Sequence, residues 1–183
     1  MNKDSVLKSK LFWVGVLYFA EGFPLGVFYE ILPVNFRQQG VNLSQIGFLS
    51  LLGLAWSIKF LWAPAIDRFR HHRRWMFSVD MAMAAIMLVV AINSEFGAWM
   101  WVAIAAFTLL SATNDIAIDG YTIELLDKRE YGLANGVRIA AYRAGMIFSG
   151  ALLMLEPWLG WSGIFFAAAA TLTLMGIWCL YAP

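Results

Sequence analysis

Thiol chemistry is almost absent from this chain. Cys179 is its single cysteine, so no internal disulfide can form and no thiolate cluster can hold a metal. Histidine is equally scarce: His71 and His72 are adjacent, and neighbouring positions do not easily chelate one ion. Neither a metal nor a cofactor is therefore expected. Charge is scarce as well. Charged residues make up 14% of the chain, hydrophobic residues 61%, and the mean hydropathy is +0.69. Soluble domains run at roughly 25% charged and 45–50% apolar, so a soluble globular domain is excluded. The net charge is only +1 and the basic residues do not gather on one face, so nucleic acid is not an expected partner.

What the chain has instead is six long apolar runs. A membrane-spanning helix needs about 20 apolar residues at about 1.5 Å each. Six windows qualify: 11–33, 43–66, 75–92, 98–121, 132–155 and 162–181. The breaks between them carry turn and polar chemistry, from Arg37 to Gly40, Arg68 to Arg74, Asn93 to Gly97, Asp127 to Glu130 and Glu156 to Gly160. Strands of a barrel would be about half as long and would alternate in polarity. The expected fold is all-α: one six-helix transmembrane bundle over residues 1–183, with the lipid bilayer as its solvent.

Lysine and arginine set the orientation. With the N-terminus inside, the cytoplasmic segments carry Lys3, Lys8, Lys10, Arg68, Arg70, Arg73, Arg74, Lys128 and Arg129, and the outer loops carry only Arg37. Both ends are expected on the cytoplasmic side of the cell (inner) membrane. Spans one to three recur as four to six in the same charge order, acidic, basic, plain. An odd number of spans per unit turns the second unit over, and inverted repeats of this kind mark transporters. The third span reads as plain because no charge falls from Met81 to Val90; with the sixth, it is expected at the outside of the bundle.

Several charges lie inside the spans. Carboxylates in hydrocarbon cost about 2.5–3.5 kcal/mol each on insertion scales and usually face a protein interior or a water-filled path. Asp115 and Asp119 stand one turn apart in the fourth span, Glu21 and Glu30 in the first, Lys59 in the second, and Arg138 and Arg143 in the fifth. Counting about 1.5 Å per residue puts Glu21 and Arg143 near the midplane, and Asp115, Lys59 and Arg138 together nearer the cytoplasm. One reading is a set of structural ion pairs. The other is a pathway for a polar solute or proton, because four acids face three bases and one carboxylate is left over. The midplane acid is followed by Gly22, Pro24 and Gly26, a pattern that breaks a helix beside a binding site or kinks it for packing. An intramembrane enzyme is not expected, since Asp115 and Asp119 share one helix and no serine–histidine pair falls within a span.

The run Asp67-Arg68 followed by Arg73-Arg74 closes the second span. It resembles the cytoplasmic gate-loop signature of the major facilitator superfamily, with Ala63 where that pattern has glycine. Tyr18 to Gly26, Lys59 to Pro64, Asp115 to Tyr121 and Tyr142 to Met146 with Ser149-Gly150 together resemble the AmpG-type muropeptide permeases of the peptide–acetyl-CoA transporter branch. That resemblance covers nearly all of the chain and implies the N-terminal half of a two-half, proton-coupled secondary transporter of a small polar or amphiphilic solute. It makes Asp115 and Asp119 candidate essential acids. Glu21 stands where the family pattern more often has glutamine. The missing second half would come from the same longer chain, a second copy or a separate polypeptide.

Overall fold

The computed structural model describes residues 3–69, 71–93 and 95–183, and among them every regular element is a helix. The first span begins as α1 (Lys3–Gly26), passes through a π-helical turn at Val27–Ile31 and resumes as α2 (Leu32–Gln38). Asn42 caps the next helix, its side chain accepting from the Gln45 amide at 2.8 Å, which satisfies one of the free N–H groups of a helical first turn. The second span is not one helix. It runs as α3 (Leu43–Leu49), a 3-10 turn (Ser50–Gly53), α4 (Leu54–Ile58), a second 3-10 turn (Lys59–Leu61) and α5 (Ala63–Phe69). Then come α6 (His72–Ile92), α7 (Ala98–Leu125), α8 (Tyr131–Leu152) and α9 (Glu156–Leu180).

Among the described residues, five helical stretches are long and apolar enough to cross a membrane. The last of them, Tyr131–Leu180, is 50 residues long and far exceeds one crossing. Its backbone leaves helical space at Gly160 (φ 63°, ψ 176°), which divides it into the fifth and sixth spans. The protein is thus an all-α, multi-pass membrane protein of six transmembrane helices. The Gly160 conformation is open almost exclusively to glycine. Nothing lies within 4 Å of a Cβ added there, so Gly160→Ala carries only the backbone cost, about 1–3 kcal/mol. Thermal unfolding in detergent should show that loss without a change in secondary structure.

Two helix pairs form the frame: α1 lies along α8, and α6 along α9, with α7 touching both α1 and α6. In lipid, helices associate through close packing, which favours small residues at the seam. Gly22 meets the Tyr142 carbonyl, Gly26 meets Ser149 and Met146, and Gly145 meets the backbone of Phe19 and Phe23. The expected break at Gly22, Pro24 and Gly26 is therefore corrected. α1 stays helical through all three, because the glycines are used for contact with α8, and the irregular turn comes after them at Val27–Ile31.

The third and sixth spans pair with each other along a buried seam. The third span is not plain, however: Asp80, just before its uncharged run, is fully buried. By contrast the second span packs loosely. Only 17% of its most apolar stretch is buried, against 44–56% in the others, which accords with its repeated 3-10 turns.

The loops at one end of the bundle are tied together by hydrogen bonds. Trp161 Nε1 donates to Gln38 Oε1 at 2.9 Å, and the Phe96 amide donates to Gln39 Oε1 at 2.7 Å. At the opposite end Lys10 Nζ reaches Asp127 at 3.1 Å and Glu130 at 3.0 Å, clamping the start of the first span to the α7–α8 connection.

Candidate functional site

Polar residues on α7 recur on the faces turned towards its neighbours. Ser111, Asn114, Asp115 and Thr122 are all buried, on a helix whose long apolar sequence keeps it at the centre of the bundle. Asp115 Oδ2 lies 3.5 Å from Lys59 Nζ, and Asp119 Oδ2 lies 3.6 Å from the same nitrogen. Lys59 can stand between two acids because it occupies the second 3-10 turn of the broken second span. On the far side, Arg138 Nη2 of α8 donates to Asp119 Oδ1 at 2.9 Å. Tyr18 of α1 donates its hydroxyl to that same oxygen at 2.6 Å. The Arg138 guanidinium also lies over the Tyr18 ring, 4.3 Å from its centroid, a favourable cation–π geometry.

Four elements thus converge on two carboxylates. Counting residues grouped Asp115 with Lys59 and Arg138 and left Asp119 out; it is instead the hub that joins Tyr18, Lys59 and Arg138. Asp115 is the more enclosed of the two acids, its side chain 7% exposed against 37% for Asp119. Its Oδ1 has no hydrogen-bond partner. Two acids against two bases leave the cluster close to neutral, which lowers the cost of holding it within a membrane.

Glu21 stands beside this cluster rather than in it. It lines an open cavity of about 440 Å³ with Tyr18, Asn135, Arg138, Tyr142 and Arg143. One of its carboxylate oxygens is buried without a hydrogen-bond partner. Arg143 shares the cavity but is exposed and makes no ion pair among the described residues, so the expected Glu21–Arg143 approach is a shared lining and not a salt bridge. The reason is rotation: the two sit at one depth, but α8 turns Arg143 away from the seam where Gly145 meets α1. Glu30 is exposed and its aliphatic carbons lie beside Gly150, away from the other acids. Asn135 and Arg138 also border a second cavity of about 340 Å³ between the inner ends of α7 and α8, with Thr122 and Tyr131.

The run from Asp67 to Arg74 is not the simple loop that was expected. α5 continues to Phe69 and α6 starts at His72, so Arg68, Arg73 and Arg74 are all on helices. The Asp67 side chain lies outside the described residues. Arg73 is 5.9 Å from the centroid of the Tyr121 ring, and His72 Nε2 is 3.9 Å from Glu124 Oε1. With Arg74 and Leu180 these groups enclose about 380 Å³. Tyr121 donates its hydroxyl to the Pro183 carbonyl, bringing the end of the chain to this place.

Sequence reasoning missed two participants. Tyr18 appeared only inside a longer motif, although it lies one turn before Glu21 and therefore on a neighbouring position of the same helix face. Asp80 was missed because it sits at the edge of an apolar run.

Comparison with known proteins agrees with this picture. The family model for acetyl-coenzyme A transporter 1 (Acatn) matches residues 10–156. The anhydromuropeptide permease of Escherichia coli strain K12 is 34% identical over 182 residues, covering 92% of this chain and 36% of the permease. An uncharacterised protein of Haemophilus influenzae is 33% identical over 155 residues, 80% of this chain and 36% of that protein. A Rickettsia conorii protein named as transporter AmpG 4 is 26% identical over 152 residues, 78% of this chain and 37% of its own length. The chain spans little more than a third of the length of these relatives. No solved structure matches it. With the family matched across most of its residues and a charged cluster enclosed by membrane helices, the chain belongs to the acetyl-coenzyme A transporter (Acatn) family of membrane transporters.

Proposed function

We propose that residues 1–183 act as a single six-helix unit, the N-terminal half of a proton-coupled secondary transporter in the cell inner membrane, with both termini cytoplasmic. The observation that carries this reading is the cluster of Asp115, Asp119, Lys59 and Arg138 beside the open cavity lined by Glu21 and Arg143. A purely structural set of pairs would be closed off. Here Asp119, Arg138 and Arg143 remain accessible inside a bundle whose length is otherwise apolar. Charged groups at membrane depth beside open space mark solute and proton paths.

The substrate class that fits is a small polar or amphiphilic solute carrying both charge signs. An exposed guanidinium at Arg143 suits a carboxylate or phosphate, and Glu21 suits a cationic group or a proton. The named activity of the Escherichia coli relative makes a muropeptide the first candidate, and the family description makes an acyl-coenzyme A the second. A second six-helix half would cover Arg143 and Glu30, which otherwise meet lipid. The same longer chain, a second copy or a separate polypeptide could supply it.

The test is uptake into proteoliposomes under an imposed pH gradient, with a panel of muropeptides, acyl-coenzyme A and peptides. It should be run on this chain alone and on the chain completed by a second half. The expected result is uptake by the completed form, stopped by Asp115→Asn or Glu21→Gln with insertion intact. Uptake unchanged in both variants removes these acids from the mechanism. No uptake of any solute by any form favours a non-transporting assembly protein.

A further inference from the structure

The charged cluster faces α1 and the second span. On the other side of α7 lies a second acid with quite different surroundings. Asp80 of α6 has no solvent exposure and lies in the seam where α6, α7 and α9 meet. Among the described residues its one hydrogen bond is from Asn114 Nδ2 to Oδ1, at 2.9 Å. Its other oxygen, Oδ2, is buried and has no partner, and neither has Asn114 Oδ1. No cation answers the acid: among the described residues Asp80 takes part in no ion pair, and Lys59 and Arg138 are both committed to Asp115 and Asp119.

The seam is also tight. A Cβ added at Gly176 of α9 would lie 2.9 Å from Asp80 Cβ and 3.6 Å from Oδ2, so α9 has only a glycine where it passes the carboxyl group. The titratable group that α9 brings to this place is Cys179, one turn on and fully buried. α7 brings the uncharged Asn114. An anion here would thus have one amide donor, no counter-charge among the described residues and no exposure to bulk solvent, a state that costs far more than the neutral acid.

We propose that Asp80 is a proton-binding site separate from the charged cluster. The proton resides on Oδ2, making the side chain a neutral carboxylic acid, while Oδ1 accepts from Asn114. Release of the proton puts a bare anion into the seam. It therefore requires α6, α7 and α9 to part far enough to admit water, and rebinding draws them together. Asn114 precedes Asp115 directly, so any shift of α7 at this seam moves the charged cluster on its other face. The site is a proton-controlled latch at the back of the transport helix, whichever solute moves.

Infrared difference spectroscopy of the chain in lipid nanodiscs tests this without reference to transport. A carbonyl stretch of a protonated carboxyl group should be present at neutral pH, be lost in Asp80→Asn and persist in Glu21→Gln. Asp80→Asn keeps shape and removes the proton, so it should fold. It should also lessen the fall in unfolding temperature expected for the parent chain as pH is raised above the range of an unfolded carboxyl group, about 4. Should that variant not fold, Asn114→Leu provides the second measurement. It leaves the acid in place without its amide donor and should shift the carbonyl band while retaining it. A spectrum unchanged by Asp80→Asn overturns the proposal. So does a band that appears only when sodium is removed, which would identify a metal cation at Oδ2 instead of a proton.

Discussion

Gly22→Ala should prevent the first span from seating against the fifth. A single methyl group at Gly22 runs into the Tyr142 carbonyl, and its nearest neighbours are all backbone atoms of α8. A side-chain clash can be relieved by a rotamer change, but a carbonyl held within a helix cannot move without moving the helix. Overpacking in a well-packed core costs about 1–3 kcal/mol, and a backbone obstacle belongs at or above the top of that range. Gly145→Ala meets the backbone of Phe19 and Phe23 from the opposite side and should behave alike. Gly136→Ala is the control: on the same α8, nothing lies within 4 Å of its added Cβ. Monodisperse yield and unfolding temperature in mild detergent should fall sharply for the first two and hold for the third. Three similar values would mean that α1 and α8 do not meet as described.

Lys59→Met should have the next largest effect, and it should be partly reversible by a second change. Removing the ammonium leaves Asp115 enclosed beside Asp119, with Arg138 reaching only the latter. Breaking a buried pair from one side typically costs 3–5 kcal/mol. Lys59 is 29% exposed, so partial screening places the loss near the lower end, about 3 kcal/mol. Lys59→Met combined with Asp115→Asn removes the uncompensated charge and should recover most of the stability. If the cluster carries the solute or proton, that double variant stays inactive in uptake assays although it folds. Recovery of both stability and uptake would reduce the pair to a structural one. A double variant no more stable than Lys59→Met would show that the two groups do not interact.

These outcomes depend on features that were unequally visible in the residue order. The spans were legible because hydrocarbon thickness imposes a length on apolar runs, although the fifth and sixth form one helical stretch divided at Gly160. Depth was legible too: at a constant rise per residue, Asp115 and Lys59 fall at one height, and they meet. Azimuth was not. Arg143 shares the depth of Glu21, yet rotation of α8 leaves it open to the surroundings. Asp119 fell outside the group that depth assembled, yet Tyr18 on the facing helix bonds to it within the cluster. The glycines of the first span read as a break because composition does not distinguish a flexible glycine from one pressed against a neighbour. Nor did anything in residues 43–66 announce the repeated 3-10 turns, since they reflect how little the rest of the bundle holds that span.

The π-helical turn at Val27–Ile31 has a geometric effect on everything beyond it. A π turn takes in one residue more than an α turn, and each residue of an α-helix advances the azimuth by about 100°. The outer part of the first span is therefore out of phase with its inner part by roughly that angle. Asn35 and Phe36, both fully buried, point inward on a lattice that is not the one on which Glu21 sits. Were the extra residue to migrate along the helix by a turn, only the residues it passes would rotate, by about 100°, while the two flanks kept their relative phase. The turn thus gives the first span two faces, one set by Glu21 and the other by the buried Asn35 and Phe36.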